Sequence, residues 1–140
     1  MTDFNSETLL LRQVNPKFLD VNQISVQTFL TSQAFLTSQV FTPFPKDNGL
    51  LSVHNSDLIS AQQATELFEY DTCGSVAVTP FECRSIDLQN RPDPLDESPL
   101  GKAHHVVDYT GLTKKQQKMK ATILKKYAEH RGFLYRLNTS

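Results

Sequence analysis

The chain has 140 residues, of which 39% are hydrophobic and 21% charged, and its net charge is −1. This suits one domain of ordinary size with a modest core and is unlike a disordered chain. No apolar run reaches the roughly 18–20 residues that span a bilayer, so a membrane partner is not expected.

Met1–Glu7 is acidic and polar, unlike the basic start of a secretory leader, so a cytoplasmic protein is expected. Residues 1–8 read as a flexible terminus and residues 9–140 as a single α+β domain. Leu9–Val14 is a short apolar run, expected as a strand and closed by Asn15-Pro16. Lys17–Asp20 follows as a turn. Ser25 to Thr42 then reads SVQTFL-TSQAFL-TSQVFT, a six-residue unit in three copies. An even period keeps each copy on one face of a strand, whereas a helix would scatter the phenylalanines around its axis. The composition favours strand, though helix stays open. Pro43 and Pro45 stop it, and Asp47-Asn48-Gly49 signals a turn.

Leu50–Val53 is expected as a strand. Ser60 is a plausible N-cap for a helix Ala61–Tyr70 with Ala64, Leu67 and Phe68 on its apolar stripe. Ser75–Val78 is another strand. Thr79-Pro80 opens a single helical turn, with Thr79 as N-cap and Pro80 at the first helical position. Ile86 and Leu88 mark a further extended piece. Arg91–Pro99 is a stiff polar loop with three prolines. His104–Tyr109 reads as a strand. Thr113 caps a last helix over about 114–131, with Met119, Ile123, Leu124, Tyr127 and Ala128 expected inward and Gly132 as its stop. Phe133-Leu134-Tyr135 is an apolar tail expected to dock back. The sum is α+β, a small mixed or antiparallel sheet with two main helices at about 60–70 and 113–131.

SQVFTPFPKDNGLLSV (Ser38–Val53), VAVTPFECRSIDL (Val76–Leu88) and the proline loop leading to HHVVDY resemble a group of small bacterial proteins with an SQxF…PKDxGxLSV…His-strand pattern. The resemblance covers most of residues 9–135. It implies kinship of fold and carries no activity, because none is established for the group. Three SQxF-like units stand here where that pattern has one, and Gln39-Val40-Phe41 is the matching copy.

Candidate chemistry is sparse. Cys73 and Cys83 lack the CxxC spacing of a zinc ribbon and read as free thiols. No phosphate-cradling glycine loop, GxSxG or HExxH occurs, and neither a metal nor a cofactor is expected. His104 and His105 are candidates for acid–base work together with Lys46. As neighbours in a strand, the two histidines point to opposite faces. Lys46 and Asp47, with Gln39 and Arg12, are candidates for a polar binding site at the end of the first strands.

The segment from Thr113 onward carries Lys114, Lys115, Lys118, Lys120, Lys125, Lys126, Arg131 and Arg136 against the single acid Glu129. Such a basic helix either tracks phosphates, with Lys114, Lys115, Lys118 and Lys125 as contacts, or packs beside the acidic remainder of the chain. With no catalytic motif, a polarised charge and a proline loop, the expectation is an accessory module that binds a protein partner without a reaction of its own. Two alternatives are nucleic-acid phosphodiester chemistry at His104 or His105 and nucleic-acid binding by the last helix.

Overall fold

A computed structural model of the chain describes residues 8–19 and 36–137. Within them lie six strands: β1 Leu10–Gln13, β2 Leu50–Asn55, β3 Gly74–Val78, β4 Gln89–Pro92, β5 His104–Asp108 and β6 Tyr135–Arg136. They form one sheet in the order β4-β5-β2-β1-β3-β6, and every neighbouring pair is antiparallel. The helices are α1 Ala61–Leu67, α2 Pro80–Ser85, α3 Pro99–Lys102 and α4 Lys114–Arg131. The fold is α+β.

Strand alternation divides the core in two. Leu10, Val53, Val76, Val78 and Val107 face one side and pack against Ala121, Leu124 and Ala128 of α4. Leu11 and Ala77 face the other side, with Ile59, Ala103 and Ala64 of α1. The sheet is therefore a middle layer with a helix on each face.

Local signals explain the helix starts. Ser60, Thr79 and Thr113 each accept the backbone N–H three residues on, and Thr79/Glu82 and Thr113/Gln116 are reciprocal capping boxes. Other expectations shift. Helix α1 ends at Leu67 instead of Tyr70 because Phe68 turns extended, and Leu67 stays 43% exposed. On α4 the buried stripe is Ala121, Leu124 and Ala128, while Met119 is 56% and Tyr127 37% exposed. The two alanines sit in the core cluster with Val76 and Val78 of β3, and the larger Met119 and Tyr127 point outward. The fourth strand begins at Gln89, after the expected Ile86–Leu88 piece, and extends into the proline loop as far as Pro92.

The last hexad copy is not a strand. Ser38–Phe41 forms a 3-10 turn with Val40 and Phe41 buried. Pro43 and Pro45 deny it amide donors just beyond, so it cannot join a ladder. It is held instead by Thr37 N donating to Phe18 O at 2.8 Å and by the Tyr109 hydroxyl donating to Phe41 O at 2.6 Å. The remaining hexad residues, 25–35, and residues 1–7 lie outside the described residues. Thr8, expected in a flexible terminus, is buried, and its hydroxyl donates to Asp57 Oδ2 at 2.6 Å.

The apolar tail docks as expected. Phe133 packs on the core, and Leu134 N donates to Ser75 O at 2.9 Å. Gly74 permits this: its φ is +151°, and a Cβ there would stand 2.4 Å from the Tyr135 carbonyl. Gly74→Ala is expected to cost about 2–3 kcal/mol by forcing β6 off β3. Urea unfolding of the variant checks this, and an unchanged midpoint would mean that the β3–β6 contact contributes little.

Candidate functional site

Among the described residues, the face that carries α1 is only partly covered. Beside the helix lies a cleft of about 490 Å³. Its floor is the second face of the sheet, where Gln13 on β1, Ser52 and His54 on β2, and His104 on β5 stand side by side. Three segments wall it: the Phe44–Asp47 turn, the Phe68–Asp71 exit from α1, and Leu95 with Leu100 around α3.

The floor is built by strand period and register. Ser52 and His54 are two apart on β2 and so share a face. Pairing of β2 with β5 sets His54 opposite His104, and Val53 opposite His105. The His54 and His104 rings meet edge-on with centroids 5.8 Å apart. Burial, reinforced by His104 and Arg12, pulls the pKa of His54 down to about 4, so its ring is neutral at pH 7.

His104 is fixed at both nitrogens. Its Nδ1 lies 2.8 Å from the Asp93 carbonyl oxygen and 3.3 Å from Asp93 Oδ2, and its Nε2 lies 3.0 Å from Ser52 Oγ. Two acceptors at Nδ1 place the proton there, which leaves Nε2 as an acceptor for the serine hydroxyl. Asp93 follows directly after β4, and its N–H donates to His104 O at 2.9 Å, so the sheet itself sets this geometry.

Arg12 enters where β1 and β2 part. Their pairing comprises Leu10 with Asn55 and Leu11 with His54. Next along β1, Arg12 Nη1 donates to Ser52 O at 2.8 Å and Nε donates to Val40 O at 2.7 Å. Burial lowers its pKa to about 10, which still leaves it charged at pH 7. The guanidinium lies 6.0 Å from the Phe44 ring centre.

The wall of Leu95 and Leu100 depends on a close approach. Ser98 caps α3, Asp96 accepts from both the Ser98 N–H and its hydroxyl, and Leu95 N donates to Gly101 O at 3.0 Å. A Cβ on Gly101 would stand 2.0 Å from Asp96 Oδ1. Glycine thus lets the proline loop fold down beside the cleft.

Of the residues singled out from the sequence, Arg12, Lys46, Asp47 and His104 all line this cleft. The others lie elsewhere. His105 is fully buried on the α4 side, with Nε2 2.9 Å from Asn90 Oδ1 and its pKa drawn down to about 4, chiefly by burial. Gln39 is exposed on the 3-10 turn, where its Oε1 accepts from Thr37. Lys114, Lys115, Lys118 and Lys125 belong to α4, the layer on the other side of the sheet. On that helix Lys120 Nζ donates to Ile86 O at 2.6 Å, and Arg131 donates to Ala77 O and to both carboxylate oxygens of Glu82. Cys73 and Cys83 are free, and burial pushes the Cys83 thiol up to about 12, so it is no nucleophile near neutrality.

Ser52, His54 and Asp93 stand in no catalytic motif of the sequence and were not among the residues singled out from it. The spacing Ser52-x-His54 in a strand was the available signal. Among the described residues no group of three or more His, Cys, Asp or Glu could hold a metal ion, and no helix is long and apolar enough to cross a membrane.

Comparison with protein-family models, curated proteins and solved structures finds no match to this chain. The resemblance to the bacterial SQxF…PKDxGxLSV group therefore rests on its motifs alone.

Proposed function

We propose that this chain is a cytoplasmic interaction module and that its working surface is the cleft on the α1 face. The supporting observation is the rim. Phe44 is 43% exposed, Leu95 64% and Tyr70 73%, all around one concavity. Single exposed apolar residues are ordinary, but three converging on a cleft favour a binding site. Charge of both signs lies between them, Arg12 and Lys46 on one hand and Glu69 and Asp71 on the other. Such a lining suits a segment of a protein partner that places one apolar side chain in the cleft and flanks it with opposite charges.

The test is affinity capture with the wild type and with Phe44→Ser/Tyr70→Ser as baits. The double variant is expected to bind the partner at least about tenfold more weakly, since aromatic anchors dominate such contacts. Equal capture by both baits would remove the cleft from the interaction.

The nucleic-acid readings draw on separate surfaces. Lys114, Lys115 and Lys118 are exposed at the start of α4, across the sheet from His54 and His104. The basic helix therefore adds no phosphate contacts to the cleft, and the apolar rim of the cleft supports the protein partner.

A further inference from the structure

The cleft floor holds more than a binding site needs. There a hydroxyl meets an imidazole, and a carboxylate at the end of β4 lies on the imidazole's other side. Ser52 Oγ is 3.0 Å from His104 Nε2, and His104 Nδ1 is 2.8 Å from the Asp93 carbonyl and 3.3 Å from its carboxylate. Nucleophile next to base, and base oriented by a third group, is the arrangement that activates a serine. All three are set by one patch of sheet, with Ser52 on β2, His104 on β5 and Asp93 at the end of β4. Ser52 is half-buried and lines the cleft, so a bound group can reach it. The charged Arg12 guanidinium is bonded to the main-chain carbonyl of Ser52 and lines the same cleft, so it adds positive charge to the surroundings of a developing oxyanion.

We infer that Ser52 is a nucleophile with His104 as its base and Asp93 as the residue that orients the base, and that the cleft hydrolyses carboxylic esters of apolar acids. The apolar acyl group follows from the lining, where Phe44, Phe68, Tyr70 and Leu95 share the cleft with the serine. In the first step Ser52 Oγ bonds to the ester carbonyl carbon as its proton passes to His104 Nε2. The C–O bond to the alcohol then breaks, and the alcohol leaves with that proton. Water next attacks the acyl-serine and gives a proton to Nε2. Ser52 Oγ departs, recovers the proton, and the acid is released. The sum is ester plus water giving acid plus alcohol. This adds a reaction to the binding role proposed above, and either can fail without the other.

Two measurements test it. The wild type is treated with an alkyl fluorophosphonate and its peptides are mapped by mass spectrometry, with label expected at Ser52. Hydrolysis of p-nitrophenyl butyrate is followed in the wild type, Ser52→Ala, His104→Gln and Asp93→Asn. Loss of about 100-fold or more is expected for the first two. Asp93→Asn should lose less, since its main-chain carbonyl still holds Nδ1, and should lower kcat with little change in KM. An unlabelled Ser52 in the wild type overturns the inference, as does a Ser52→Ala variant that hydrolyses the ester as fast as the wild type. Because the labelling needs no variant, a misfolded substitution cannot mask the result. Weak capture by Phe44→Ser/Tyr70→Ser alongside an unlabelled Ser52 would leave the cleft as a binding site alone.

Discussion

Acidification from pH 7 to pH 5 is expected to lower the urea midpoint of this protein well before its carboxylates titrate. The cause is a pair of histidines kept neutral by the fold. Both His54 and His105 have pKa values near 4 in the folded chain, against about 6.5 for an open chain. Below pH 6.5 the unfolded state binds protons that the folded state refuses, so stability is complete above that pH and falls as the pH drops toward 4. One pH unit is worth about 1.4 kcal/mol per proton. The two groups together withdraw on the order of 3 kcal/mol by pH 5, a large part of an ordinary domain's stability. Asp96 and Asp108, whose pKa values are depressed below 3.8 by hydrogen bonds, would weaken the fold only at lower pH. His54→Gln should remove about half of the loss between pH 7 and pH 5. A wild-type midpoint that is equal at the two pH values would mean that neither ring is held neutral.

Arg12→Met is expected to destabilise the chain by about 2–4 kcal/mol. The guanidinium donates to the Val40 and Ser52 carbonyls, both part-buried, and methionine would strip both of their donor. Two separated parts of the chain would come loose from β1, namely the 3-10 turn Ser38–Phe41 and the strand that carries Ser52. Arg12→Lys keeps the charge but has a single ammonium in place of a fork, so it should recover less than half of the loss. Equilibrium urea titration of the two variants measures both effects. If Arg12→Met stays within about 0.5 kcal/mol of the wild type, the span across the two carbonyls is dispensable.

What was legible in the sequence was mostly local. Ser60, Thr79-Pro80 and Thr113 announce helix starts because a cap acts within one turn, and the three helices begin where they indicate. Short apolar runs such as Leu50–Val53 announce strands for the same reason. Arg12, Lys46 and His104 could be named from residue type, but their meeting could not. That depends on β2 standing between β1 and β5 and on His54 falling opposite His104, a register fixed by contacts some fifty residues apart. The turn of α4 about its axis was equally hidden. Leu124 and Ala128 were expected inward and are buried, but Ala121, a small residue, takes the inward place in which the pattern had put Met119 and Tyr127. The hexad period suggests a strand, yet its last copy is bent into a 3-10 turn between the Phe18 main chain and Tyr109.

The ends of the sheet bear on how another chain could approach. Open sheet edges invite strand addition, and with it aggregation. Here one outermost strand, β4, closes with Pro92, and Pro94 follows two residues later. The opposite outermost strand, β6, is two residues long. Among the described residues, neither offers a run of edge amide and carbonyl groups long enough to template a further strand. A visiting chain would therefore gain little by extending the sheet and would have to be recognised through side chains.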